Sequence, residues 1–195
     1  MPLVNWLQEK YGFVQVPRTL AELNLQTGVN FFHGYYEGRV IDKFSIYNNG
    51  VLLEAKQDTS YGDRFLDEVL SLAASQFDIH TAQIGRAYLS QVEVHLPISV
   101  GAAFEKFSEI GKMISNFLKQ YNLPQAEDYQ FSGMKMHYDQ TGRQPPNPSD
   151  FIFERRSAEP YANNVYFSSA PLRTVDHLQV LEVFEQTLIS VSGAS

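Results

Sequence analysis

The sequence predicts an α+β fold: a mainly antiparallel sheet of about six strands with three long helices packed on one face, in the order βββαβαβββα. Three observations carry this expectation. Val40 to Phe77 reads as a β-hairpin feeding an amphipathic helix. Val100 to Tyr121 carries apolar residues at 100, 103, 104, 107, 110, 114, 117, 118 and 121, the spacing of one helical stripe. A second strand, strand, helix run closes the chain from Phe151 onward.

In the hairpin, Asn49-Gly50 suits the two central positions of a type I′ turn, where φ is positive at both and Asn and Gly bear it most cheaply. Pairing outward from Asn48 and Val51 sets Ile46 opposite Leu53 and Phe44 opposite Ala55 on an apolar face, with Ser45 opposite Glu54 on the other. This register also sets Lys43 against Lys56, a like-charge pair. A three-residue loop with a bulge at Gly50 avoids that pair but turns Glu54 toward the face of Phe44. Asp58, Thr59 and Ser60 offer an N-cap, so the helix begins near Ser60, with Asp63, Asp67 and Glu68 favoured by the dipole of its early turns. Phe65, Leu66, Val69, Leu70, Ala73 and Phe77 form the stripe that covers the hairpin.

Residues 1–27 read as a helical segment: a short helix from Pro2 to Tyr11, then a second opened by the capping box Thr19-Leu20-Ala21-Glu22. VNFFHGYYE, Val29 to Glu37, has strand composition between Gly28 and Gly38 and precedes the hairpin. From Ala87 to Leu96 the chain alternates, with Tyr88, Val92, Val94 and Leu96 in one phase and Gln91, Glu93 and His95 in the other. The 100–121 helix follows Pro97, weakened slightly by Gly101 and Gly111. Asp128 to Tyr138 is strand-like, with a phase change near Ser132-Gly133 that predicts a bulge or twisted edge. The run 139–150, DQTGRQPPNPSD, is a Pro-rich loop and reads first as a surface crossing. Phe151 to Arg156 and Asn164 to Ser169 are strands. Thr174 then caps a helix carrying Val175, Leu178, Leu181, Phe184 and Leu188. This order resembles 40–77, but side-chain identity between the two runs is so thin that coincidence is the simpler account of the pseudo-repeat.

At 195 residues, against a prior of roughly 150 per domain, the chain reads as a single domain, 1–195. A hydrophobic share of 44% with 19% charged residues is that of a folded protein. Fourteen Phe and eleven Tyr point to a core, and an interface, built from rings. A net charge of −7, with no cationic run longer than Arg155-Arg156, disfavours nucleic acid. The absence of cysteine excludes disulfides, thiolate metal sites and thiol catalysis. No basic leader or membrane-length apolar run is present, so no membrane partner is expected and the cytoplasm is the default location.

No HxH, HxxxH or HExxH pattern occurs, so no metal or cofactor is expected from local spacing. A catalytic site would have to be assembled from separate strands, and the candidates are His95 and Glu93 beside His137. If those strands pair, the three share a sheet face; if not, they are solvated polar residues. Phe31, Phe32, His33, Tyr35 and Tyr36 form the densest aromatic run, the candidate partner-binding surface, although rings on a strand are also divided between core and outer face. Asp176-His177 invites a catalytic reading, yet an aspartate one step inside a helix is what the dipole favours. P-loop, dinucleotide and nucleophile-elbow motifs are absent, and Glu68, Glu105 and Glu109 lie off the apolar stripes. Strands 29–37 and 151–156 carry large apolar residues in both phases, which a wet sheet face avoids. The sequence therefore points first to a non-enzymatic protein-binding or assembly component that self-associates as a homo-oligomer. Its alternatives are a small hydrolase or lyase with a His/Glu, metal-dependent site, and a small-ligand binder with a pocket between the 100–121 helix and the sheet.

Overall fold

The computed structural model describes residues 2–77, 79, 85–121, 129–137, 139, 141–142 and 147–192. The fold is α+β, and the described residues form seven strands in two antiparallel sheets of three and four. The chain divides into two compact units, Met1–Arg86 and Ala87–Ser195, each with its own apolar core. Periodicity along a strand gives its buried face but not its neighbour, so a total near six strands was legible and their division between two sheets was not.

The first unit runs α1 (Pro2–Tyr11), a 3₁₀ turn (Leu20–Leu23), β1 (Val29–Tyr36), β2 (Arg39–Tyr47), β3 (Gly50–Glu54) and α2 (Thr59–Phe77). Its sheet is the meander β1-β2-β3. The type I′ turn sits not at Asn49-Gly50 but at Glu37-Gly38, where φ is 47° and 73° and Tyr36 pairs with Arg39. The buried Tyr61 hydroxyl lies 3.1 Å from the Tyr36 carbonyl and 3.3 Å from that of Arg39, holding the mouth of this turn. Arg64 clasps the Glu37 carboxylate with two donors, at 2.9 and 3.3 Å. Paired with Arg64, Glu37 is held below the usual carboxylate range.

At the second turn Tyr47 pairs with Gly50, leaving Asn48-Asn49 as the loop, and neither Asn nor Gly50 has a positive φ. The Asn48 amide donates to the Leu25 carbonyl at 3.1 Å, a long-range anchor that local turn chemistry does not reveal. The register is therefore two residues away from the expected one. Because side-chain direction repeats every two residues, the apolar face survives the shift: Phe44 stands opposite Leu53, and Ile46 opposite Val51. Lys43 meets Glu54, in an ion pair of 3.4 Å, instead of Lys56.

Along β1 the core-facing phase slips at His33, whose φ is 56°: Val29 and Phe31 face inward before it, Gly34 and Tyr36 after it. Gly34 is required there, since a Cβ would lie 2.5 Å from the ring of buried Phe13. Asp58 caps α2, accepting from the amides of Ser60 and Tyr61 at 2.9 and 3.1 Å. The α2 stripe then closes an aromatic core in which the Phe65 ring lies 5.0 Å from Tyr11, 5.4 Å from Tyr36 and 5.4 Å from Phe44. The expected second N-terminal helix is a single 3₁₀ turn, fastened by Glu22 accepting the amides of Arg18 and Thr19.

The second unit runs β4 (Ser90–His95), α3 (Val100–Ala103), a 3₁₀ turn (Glu105–Phe107), α4 (Ser108–Gln120), β5 (Gly133–Met136), β6 (Phe151–Arg155), β7 (Val165–Ala170) and α5 (Thr174–Ser192). Its strand order is β4-β7-β6-β5. The meander β5-β6-β7 followed by α5 repeats the element order β1-β2-β3-α2, and both closing helices are 19 residues long. Phe153 stacks on Tyr166 at 4.8 Å and meets Phe184 of α5 at 4.7 Å, the centre of this core. Gly133, where a bulge or twisted edge was expected, pairs in regular register with Glu154 on the edge strand β5 and allows close approach of backbones: a Cβ there would lie 2.2 Å from the Phe153 carbonyl oxygen. The long helix expected over 100–121 is broken by a 3₁₀ turn, with the rings of Phe104 and Phe107 lying 4.3 and 5.7 Å from that of Phe131. Much of the 139–150 loop lies outside the described residues; Asp150, at its end, pairs with Lys135 at 2.6 Å. Among the described residues no helix is long and apolar enough to cross a membrane.

Candidate functional surface

The three residues proposed as a catalytic cluster are not brought together. β4 and β5 are opposite edges of the four-stranded sheet, so Glu93 and His95 are separated from His137 by two intervening strands. The registers place His95 and His137 near opposite ends of the sheet as well. At about 4.8 Å between strands and about 3.3 Å per residue, the two sites are roughly 14 Å apart across the sheet and roughly 20 Å along it. His95 instead lies 3.6 Å from Glu93, whose other oxygen accepts from Arg156 at 3.2 Å, all on an exposed face. Among the described residues no group of three or more His, Asp or Glu side chains is arranged to hold a metal ion.

The aromatic run of β1 is divided between two sides. Phe31 is fully buried and Tyr36 packs against the core, so both support the sheet. Phe32 is half-buried, and its backbone pairs with Gln15. His33 and Tyr35 are exposed. The run is therefore split, with Phe31 and Tyr36 in the core and only Phe32, His33 and Tyr35 left outside it, the Phe32 and His33 rings 6.4 Å apart.

Sequence reasoning passed over a buried polar pair. His177 on α5 and Ser168 on β7 are both fully buried, with His177 Nε2 2.9 Å from Ser168 Oγ. Ser168 Oγ donates to the Ile152 carbonyl at 2.9 Å, so the imidazole carries its proton on Nε2 and donates to the serine. Nδ1 is left buried and without a partner. Burial pushes the His177 pKa down, because the charged ring would be stranded in an apolar surround. With both side chains closed to solvent and the serine proton committed to a carbonyl, this Ser/His pair is a structural element and not a nucleophile. Asp176 turns away to pair with Arg173 at 2.9 Å.

Among the described residues of the second unit, exposed apolar side chains line α5 (Val175, Leu178, Val180, Val183, Ile189 and Val191) and α4 with the turns on either side of it. Phe107, Ile110, Met113, Ile114, Phe117 and Tyr121 are 39–67% exposed. The buried side of the same helix consists of Gly111 and Ser115. Ser115 Oγ accepts the Tyr129 amide at 3.0 Å, and a Cβ on Gly111 would lie 1.9 Å from the Tyr129 carbonyl oxygen. The backbone at Tyr129 thus seats against the small side of α4, about a quarter turn from the apolar stripe, and that seating directs the stripe outward. Phe107, Ile110, Ile114, Phe117 and Tyr121 follow three- and four-residue steps in alternation, which is the spacing of a helix-packing seam. The stripe was visible in the sequence, but which part of it would meet the core was not.

Comparison of the chain with protein-family models, curated proteins and solved structures gives no match.

Proposed function

We propose that this chain is a non-enzymatic binding and assembly component that associates with itself. The exposed apolar seam on α4 carries this reading. At roughly 200 Å² for a fully exposed large side chain, six residues 39–67% exposed present on the order of 600 Å² of largely apolar surface. That lies at the upper end for a patch on a monomer, and approaches the roughly 800 Å² per partner of a standard interface. The separation of His137 from His95 and Glu93 removes the arrangement on which the hydrolase reading depended. Sedimentation velocity over a wide concentration range tests the proposal, with a reversible concentration-dependent oligomer expected. A chain that stays monomeric throughout overturns it.

A further inference from the structure

We propose that Asn49 is a site of spontaneous deamidation, through a cyclic imide formed with the backbone nitrogen of Gly50. This modification is independent of the self-association proposed above. Asn49-Gly50 has the composition of a type I′ turn but not its backbone, since neither residue has a positive φ and Tyr47 pairs with Gly50 to leave Asn48-Asn49 as the loop. What the dipeptide retains is its chemistry. Asn49 is the only asparagine in the chain followed by glycine, and at every other asparagine the next residue carries a side chain or ring that crowds the nitrogen that has to attack.

The hairpin tip leaves both reacting groups accessible. Asn48, Asn49 and Gly50 are exposed, and a Cβ built on Gly50 meets nothing within 4 Å, so the imide ring has room to close and water has room to reach it. Gly50 opens β3, an edge strand of five residues, and its pair with Tyr47 is the last of the β2-β3 ladder, where fraying frees the amide nitrogen at low cost. Asparagines elsewhere in the first unit have engaged side chains. Asn30 donates to the Gly28 carbonyl at 3.0 Å and accepts from Ser45 at 2.7 Å, and Asn24 accepts the Gln26 amide at 2.9 Å.

In the ring-closing step the Gly50 nitrogen bonds to Asn49 Cγ, the Cγ–Nδ2 bond breaks, and ammonia leaves with the proton given up by the Gly50 amide. Water then opens the imide at either carbonyl. Cleavage of the bond from nitrogen to Cγ gives aspartate. Cleavage of the bond from nitrogen to the main-chain carbonyl gives isoaspartate, in which the chain runs through Cγ and is one carbon longer just ahead of the Tyr47 and Gly50 pair. Either product adds one negative charge to the net −7, and neither route needs an oxidant, a reductant or an enzyme.

The test is to hold the full-length chain folded at neutral pH and physiological temperature, sample it over weeks and map its peptides by mass spectrometry. Cleavage after Lys43 and Lys56 isolates a peptide in which Asn48 and Asn49 are the only asparagines. Conversion should begin at Asn49, with isoaspartate in excess over aspartate. Gly50→Ala fits the turn without strain, because the φ of Gly50 is not positive and the space beside it is open, and should slow conversion about tenfold or more. Asn48→Ser should not slow it. A folded chain that stays intact at Asn49 while the same chain in urea converts would overturn the proposal, since the turn would then protect the site. Conversion led by Asn48, or aspartate formed without isoaspartate, would overturn the imide route through Gly50.

Discussion

Replacing His177 with Phe should remove a pH sensitivity that burial builds into the second unit. The imidazole is fully closed to solvent, gives its one proton to Ser168, and leaves Nδ1 without a partner. An orphaned buried acceptor costs about 1–3 kcal/mol, and phenylalanine removes it while Ser168 keeps its bond to the Ile152 carbonyl. Allowing for the larger ring, His177→Phe should lie within about 1 kcal/mol of wild type at neutral pH. Ser168→Ala, which strands the second ring nitrogen as well, should lose about 1–3 kcal/mol. The pH dependence follows from the lowered pKa. Below the unfolded value of about 6.5 the unfolded chain binds a proton that the folded chain refuses, so stability falls as pH falls. It is fully present above about 6.5, and the loss proceeds at up to about 1.4 kcal/mol per pH unit until the folded pKa is reached. Between about pH 7 and pH 5 the wild type should lose up to about 2 kcal/mol more than His177→Phe. Native-state amide exchange of Val165–Ala170 and Thr174–Ser192, corrected for intrinsic rates, reads this opening free energy locally. Parallel pH curves for the two proteins would refute the neutral buried imidazole.

Further substitutions examine the first unit, where Trp6, the single tryptophan, reports unfolding by fluorescence. Gly34→Ala drives a methyl to 2.5 Å from the Phe13 ring and should cost about 1–3 kcal/mol, partly recovered by adding Phe13→Leu; a neutral Gly34→Ala would show that Phe13 is not seated as described. Glu54→Lys recreates a like-charge pair against Lys43 and should lower the unfolding free energy, read by urea titration, by a few tenths to about 1 kcal/mol, whereas Lys56→Glu, outside the β2-β3 ladder, should have no effect. The reverse pattern would restore the register that the Asn-Gly turn suggested.

How far the sequence could be read depended on whether a feature was local. Asp58 caps α2 as expected because an N-cap needs only its own next amides. The faces of β2 and β3 were right although their register was not, since a shift of two residues keeps parity. The type I′ turn was assigned to the wrong dipeptide. Asn49-Gly50 has the stronger propensity, yet Glu37-Gly38 takes the positive φ values, and the Tyr61 hydroxyl and the Arg64 guanidinium meet the chain there. The candidate site fared worse for the same reason. Solvent-facing phase was correct for Glu93 and His95, but convergence with His137 required β4 to neighbour β5, and β7 and β6 stand between them.

By itself, then, the sequence determined most of the element types and limits, the inward faces of β2, β3 and β4, and the lack of cysteine chemistry, all properties of residues near one another in the chain. The tertiary structure alone decided that the strands form two sheets, that His177 and Ser168 meet in the second core, and that the α4 stripe points outward. Each of these is a choice of distant partner. Hydrophobic period gives every element a face to bury, but which face is covered depends on what packs there, and on α4 the small side at Gly111 and Ser115 admits a backbone that the bulky side could not.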